Sequence, residues 1–227
     1  MHKKGRIITS ILVTAAALTA IFGILSVESG ASPKLETISA EKQYADAREG
    51  VLYIRCFYAS DGLKTTGLGF IISTDGLALT AAHVIDKAAK VTAVNSVGKE
   101  LPCDILSCDM ASDVAVLRLP KGKYKAMQLS DKAPEGGALL RAMGYPIKDT
   151  LIITEGLLSS PSGTVNEKKR MLVSCDIVNG MSGGPIFNQY GKVVGLCSGS
   201  VRTMNGIHLS SLYSDICSAV KAAKSSK

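Results

Sequence analysis

Histidine is nearly missing from this chain: three residues in 227. That excludes a His-rich metal cluster and leaves very few candidates for any chemistry that needs an imidazole. Trp is absent and aromatics make up only 5%. The two densest basic clusters, Lys121-Gly122-Lys123 and Lys168-Lys169-Arg170, therefore have no interleaved rings of the kind that single-strand binders stack bases on. They read as solvated turns, and no nucleic-acid partner is expected. No Cys-x-x-Cys occurs, which removes zinc-ribbon and thioredoxin-like readings. No metal and no other cofactor is expected. What is present is 46% hydrophobic and 20% charged. Such a chain can bury a core, and its length suits one ordinary domain or two small packed lobes.

The N-terminus carries its own signal. His2, Lys3, Lys4 and Arg6 precede an uncharged run from Ile7 to Val27, and Glu28 closes it. A basic end, an apolar centre and the small residues Ser29-Gly30-Ala31 form the layout of a secretory leader over 1–31. The apolar run is 21 residues long, longer than the ~7–15 of a usual signal core and close to the about 20 a spanning helix needs. Two outcomes are open: cleavage after Ala31, or an uncleaved helical anchor that holds the protein at the membrane. Either way Lys3, Lys4 and Arg6 keep the N-terminus on the cytoplasmic side, so the body is extracytoplasmic, secreted or membrane-anchored. Cleavage would lower the net charge from +7 to +5.

All six cysteines (Cys56, Cys103, Cys108, Cys175, Cys197 and Cys217) lie in the exported part. An oxidising compartment permits disulfides, but six cysteines allow 15 pairings. Cys103 and Cys108 share one expected strand and would stand about 16 Å apart, too far to join. Apolar neighbours, as in Val194-Gly195-Leu196-Cys197, favour burial as small hydrophobes first and one or two disulfides second.

Residues 32–48 read as a tether, with a turn or two of helix over Glu41–Arg48. From Val51 the pattern becomes short apolar segments broken by turns. Six strands are predicted over Val51–Tyr58, Gly67–Ser73, Leu77–Ala82, Lys90–Val97, Leu101–Ser107 and Asp113–Leu119. After the polar stretch Pro120–Gly137, six more are predicted over Ala138–Tyr145, Leu151–Ser159, Arg170–Ile177, Pro185–Asn188, Lys192–Ser198 and Gly206–Ser210. Thr74-Asp75-Gly76 and Gln189-Tyr190-Gly191 supply tight turns. The predicted fold class is all-β: two six-stranded antiparallel barrels, at about 49–122 and 137–211. Leu212–Lys224 alternates at helical spacing and predicts a short closing helix.

The histidines now become decisive. His2 lies in the leader and His208 in a late strand. His83 ends a predicted strand in Thr80-Ala81-Ala82-His83. Thirty positions on is Asp113, in Asp113-Val114-Ala115-Val116-Leu117. Sixty-nine beyond that is Ser182, in Gly180-Met181-Ser182-Gly183-Gly184-Pro185. Each type suits acyl transfer. A serine hydroxyl needs a base to take its proton, and an imidazole is the best base near neutral pH. A buried carboxylate fixes the imidazole tautomer. Glycines let the chain turn sharply and aim two N–H groups at a developing oxyanion. Each fragment alone is weak, since a Gly-rich hairpin also yields Ser-Gly-Gly-Pro and a core histidine also follows small residues. In this order and within an all-β pattern they are strong.

Together these fragments resemble the trypsin-like, chymotrypsin-fold serine peptidases. Gly67-Leu68-Gly69-Phe70-Ile71-Ile72-Ser73-Thr74-Asp75-Gly76 and Thr154-Glu155-Gly156-Leu157-Leu158-Ser159 are similar to the bacterial HtrA (Deg) branch. The resemblance covers about Val51 to Ser211, within a protease domain at 49–227. It implies an exported serine endopeptidase acting through an acyl-enzyme, with a role in protein quality control. Ser182 would be the nucleophile, His83 the base, Asp113 its orienter, and the Gly180 and Ser182 amides the oxyanion hole. Ser198-Gly199-Ser200, after a strand, would pair with an extended polypeptide substrate. Oligomers are compatible with this reading.

The departures from the family also matter. Val84, not Cys, follows His83, so the cysteines are not the disulfide set of secreted animal members. The chain stops 45 residues past Ser182, so gating through a PDZ domain is not expected. Met181 stands where Asn or Asp is common, which leaves open how the oxyanion loop is held, and no zymogen step is expected. Asp176 lies six residues before Ser182, where trypsin-like members carry the acid that selects Lys or Arg. HtrA-like members, which prefer small aliphatic P1 residues, carry an Asp at a different offset, and a two-residue gap reconciles Asp176 with it; the second pattern is preferred. Two other functions use the same residues: a weak or inactive binding or sensing module on a protease fold, and hydrolysis of esters.

Overall fold

A computed structural model describes residues 36–147, 149–201 and 203–225. The leader at 1–31, cleaved or anchored, lies outside the described residues. Among the described residues no helix is long and apolar enough to cross a membrane.

Part of the segment expected as a tether docks on the fold, through Ile38, Gln43, Tyr44 and Ala47. Ile38 N–H donates to the Gln189 carbonyl at 2.9 Å. Ser39 Oγ caps helix α1 (Ala40–Ala47) by accepting from Lys42 N–H, as an N-cap serine does. The reason lies in Arg141, a buried cation that needs partners. It donates to Gln43 Oε1 at 2.9 Å, to the Ile38 carbonyl at 3.1 Å and to Glu155 Oε2 at 2.7 Å.

Twelve strands follow. Barrel one contains β1 (Val51–Phe57), β2 (Leu63–Ile71), β3 (Leu77–Thr80), β4 (Lys90–Val94), β5 (Glu100–Asp109) and β6 (Val114–Arg118). Barrel two contains β7 (Leu139–Ile147), β8 (Thr150–Val165), β9 (Lys168–Val173), β10 (Pro185–Asn188), β11 (Val193–Ser200) and β12 (His208–Ser210). The first closes in the order β1-β2-β3-β6-β5-β4 and the second in the order β10-β11-β12-β9-β8-β7, with every pairing antiparallel. Alternation drives closure. In β1, Leu52, Ile54 and Cys56 all point inward, each fully buried, while Tyr53 and Arg55 face out, the two-residue period of a pleated strand.

Strands β8 and β9 run past their expected facing ends because of their turn. β8 and β9 continue to a two-residue turn at Asn166 and Glu167, whose φ of 48° and 62° suit the twist of a hairpin. The segment that carries His83 is not a strand end but a one-turn helix, α2 (Ala82–Ile85), entered through extended Ala81. Helix α3 (Tyr213–Ser225) closes the molecule by burying Ile216, Val220 and Ala223.

The six cysteines are free thiols. Cys56 on β1 and Cys103 on β5 both face Val91 on β4 in register. Two strand spacings, roughly 9.5 Å, separate them, beyond disulfide reach. Burial pushes the thiols of Cys56 and Cys175 up to about 11 and that of Cys103 to about 12, so they stay protonated and behave as small apolar fillers.

Candidate active site

Three turns converge between the barrels. The first is α2, where the His83 side chain is 39% exposed. The second is the β5–β6 turn, which ends in Asp113. This residue sits at φ 60° and 5% exposure, just before β6 and not within it. The third is the loop before β10, with Gly180, Met181, Ser182, Gly183 and Gly184.

His83 and Asp113 meet directly. The Nδ1 atom of His83 lies 2.9 Å from both carboxylate oxygens, and the His83 backbone N–H donates to Oδ1 at 3.0 Å. Two donors from barrel two complete the cradle: Ser198 Oγ on Asp113 Oδ2, and Ser211 Oγ on the Asp113 carbonyl at 3.1 Å. Burial alone would raise the Asp113 pKa. The hydrogen bonds and charge of His83 and the Ser198 hydroxyl outweigh it and hold the carboxyl below its ordinary value. With a carboxylate on Nδ1, the free proton-accepting position of a neutral imidazole is Nε2.

Close backbone packing carries Ser182 to this pair. Its carbonyl accepts from Leu68 N–H at 2.8 Å. A Cβ on Gly67 would stand 2.6 Å from Val84, the neighbour of His83, and 3.1 Å from the Ser182 carbonyl. A Cβ on Gly183 (φ 84°) would fall 2.1 Å from the Leu68 carbonyl and 3.0 Å from Ala81 N. Only glycine permits both approaches. The Ser182 hydroxyl forms no hydrogen bond to His83 among the described residues; in ligand-free sites that bond is often long and tightens with substrate.

The amides of this loop divide into those with partners and those without. Met181 N–H is spent on Val178 O at 3.0 Å, Gly183 N–H on Cys197 O at 2.7 Å and Gly184 N–H on Met181 O at 2.9 Å. Among the described residues the Gly180 and Ser182 amides donate to nothing. Gly180 has φ 93°, a left-handed conformation that glycine adopts freely.

Met181 answers the question raised by the missing Asn or Asp. It is 1% exposed, belongs to the core of barrel two and lies over Gly144, where a Cβ would come within 2.8 Å of its side chain. An apolar anchor, not a polar clamp, holds the loop. Met181→Ala should therefore cost about 2–5 kcal/mol of stability and lower kcat while changing KM little. Thermal unfolding together with kinetics per titrated site checks this; an unchanged kcat would remove Met181 from that role.

The expected substrate residues divide. Ser198, Gly199 and Ser200 lie inside β11, not after it. Gly199 and Ser200 pair with Leu209 and His208 of β12, and β10 reaches only Val193 to Leu196, so among the described residues no strand pairs with the other edge of Ser198–Ser200. The side chain of Ser198 turns to Asp113, a role its place in the sequence did not announce. Asp176 does not point into an enclosed pocket: its side chain is 77% exposed and stands 3.5 Å from His208 Nε2. His208 Nδ1 accepts from Ile177 N–H at 3.3 Å. Beyond Gly180, an open cleft of about 560 Å³ runs between Arg48, Tyr53, Thr66, Tyr145 and Asp149.

The family model for a trypsin-like peptidase domain matches residues 67–196. The chain is 32% identical over 143 residues to a probable periplasmic serine endoprotease, DegP-like, of Halomonas elongata, covering 61% of this chain and 30% of that protein. It is 31% identical over 140 residues to a putative serine protease, HhoB, of a Synechocystis strain, covering 58% and 33%. The chain thus spans about a third of the length of these relatives. Its fold is similar to the crystal structure of a serine endoprotease from Yersinia pestis, with a TM-score of 0.71 at 23% identity, covering 83% of this chain and 68% of that one.

Proposed function

Because the chain belongs to the trypsin-like peptidase family, we propose that it is a serine endopeptidase in which Ser182 attacks a peptide carbonyl, with His83 as base and Asp113 as the group that orients it. The observation that carries this reading is the pair of amides at Gly180 and Ser182 that find no acceptor among the described residues, in the same site as a His83–Asp113 contact at 2.9 Å. These two donors would stabilise the negative charge that forms on the carbonyl oxygen, each worth ~2.7–4 kcal/mol in the transition state. His83 then returns the proton to the leaving amine, and water hydrolyses the acyl-enzyme by the same route.

The free edge of β11 at Ser198–Ser200 supports an extended polypeptide as substrate, recognised first through its backbone. The cleft beyond Gly180 is the space for the leaving segment. An exposed Asp176 is a poor selector for a basic side chain, because water screens it. That favours small aliphatic P1 residues: cleavage after Val should exceed cleavage after Arg on matched peptides, and the reverse order would overturn this preference. The basic-apolar leader and the periplasmic naming of the relatives support an extracytoplasmic site of action, with a part in protein quality control as the HtrA-like resemblance implies.

A fluorophosphonate probe separates the peptidase from a binding module on the same fold. The expected result is one covalent adduct per chain, on Ser182, located by peptide mass mapping. Failure to label a folded protein would end the peptidase reading and the esterase reading with it.

A further inference from the structure

We propose that Arg170 is a positioning residue for the triad: from barrel two it grips the turn of barrel one that ends in Asp113. The inference rests on the triad reading above. Arg170 lies on β9 and is 5% exposed. Its Nη1 donates to the Ala111 carbonyl at 2.9 Å and to the Lys169 carbonyl at 2.8 Å. Ala111 is two residues before Asp113. The adjacent Lys168 adds Nζ to the Met110 carbonyl at 2.9 Å.

The turn being gripped needs holding. Asp113 occupies the left-handed region at φ 60°, which costs a residue with a Cβ. Within the turn, Asp109 accepts from Ala111 N–H at 2.9 Å and from Ser112 Oγ at 2.6 Å, which fixes its shape but not its place relative to barrel two. Ser211 Oγ fixes the far side through the Asp113 carbonyl, and Arg170 fixes the near side. Stability alone does not require an arginine here, since a buried cation is often replaceable by an apolar side chain of similar volume without loss. The guanidinium supplies direction: its Nη1 bridges the Ala111 and Lys169 carbonyls, which ties β9 to the turn and sets where the main chain enters Asp113. His83 Nδ1 contacts both oxygens of that carboxylate, so a shift of the turn rotates the imidazole that must meet Ser182.

The test compares Arg170→Met and Arg170→Lys with the wild-type chain, in kinetics per fluorophosphonate-titrated site and in the NMR resonance of the His83 Nδ1 proton. Arg170→Met should lower kcat about tenfold or more, the scale on which small misplacements act, with KM within about twofold. The Nδ1 proton should move upfield or broaden. Arg170→Lys, which keeps the charge and one donor, should recover part of kcat. A folded Arg170→Met with wild-type kcat per site and an unmoved Nδ1 proton overturns the proposal, whatever its melting temperature. If the methionine variant does not fold, Arg170→Gln, which retains a neutral donor, is judged by the same two readouts. If the wild-type chain has no turnover, the peptidase reading fails and the Nδ1 proton alone decides the positioning role.

Discussion

His83→Ala should reduce kcat on a peptide substrate by a factor on the order of 10⁶, with the fold retained. The side chain is 39% exposed and, among the described residues, hydrogen-bonds only to Asp113, so alanine opens no core cavity. Among the described residues no other imidazole can replace it. His208 is on β12 with its Nδ1 engaged by Ile177 N–H, and His2 is outside the described residues. Ser182→Ala should cost about as much, and the double variant little more than either, because nucleophile and base act as a unit. What remains should still exceed the uncatalysed rate by ~10³–10⁴ through the oxyanion amides and substrate binding. A stopped assay on one fluorogenic peptide, with circular dichroism as the fold control, measures all three. Near-additive losses, or turnover within tenfold of wild type in His83→Ala, would remove His83 as the base.

The second large effect is expected from Asp113→Asn, about 10⁴ in kcat, or roughly 5 kcal/mol of transition-state stabilisation. The carboxylate presents acceptors to three donors at once: His83 Nδ1, His83 N–H and Ser198 Oγ. An amide offers one oxygen and one N–H₂. If the oxygen keeps Ser198 or the backbone N–H, the NH₂ group faces Nδ1 and selects the wrong imidazole tautomer. KM should hold, since Asp113 is buried behind His83 and touches no substrate. The same substitution has a pH signature in stability. Asp113 is held below its ordinary 3.8 in the folded chain, so the unfolded chain binds its proton more tightly. Its contribution is full above about 3.8 and is lost as pH falls through the folded value. Acid titration of unfolding should therefore show a loss of stability in the wild-type chain that is smaller in Asp113→Asn. Parallel acid profiles would contradict that account of the carboxylate.

Much of this site was legible because its chemistry is local. Thr80-Ala81-Ala82-His83 and Gly180-Met181-Ser182-Gly183-Gly184 carry their small residues beside the reactive ones, and the reason is now visible: a Cβ at Gly183 would collide with the Leu68 carbonyl at 2.1 Å. The strands were legible from their two-residue period, as in Leu52, Ile54 and Cys56. Helix α1 was placed within a residue, but its docking was not, because the charge it answers, Arg141, lies 98 residues along the chain.

The sequence by itself determined the residue types that can perform acyl transfer, their order and the alternation that makes twelve strands. Those properties depend on side-chain chemistry and on neighbours a few positions away. The tertiary structure alone decided how the His83–Asp113 pair is held and that no cysteine pairs with another. Ser198 reaches Asp113 across 85 residues, Ser211 across 98 and Arg170 reaches Ala111 across 59. Cys56 and Cys103 are kept apart by one intervening strand. Contacts of that kind exist only after two barrels have closed, and nothing in the local pattern around a serine, an arginine or a cysteine records which distant backbone it will meet.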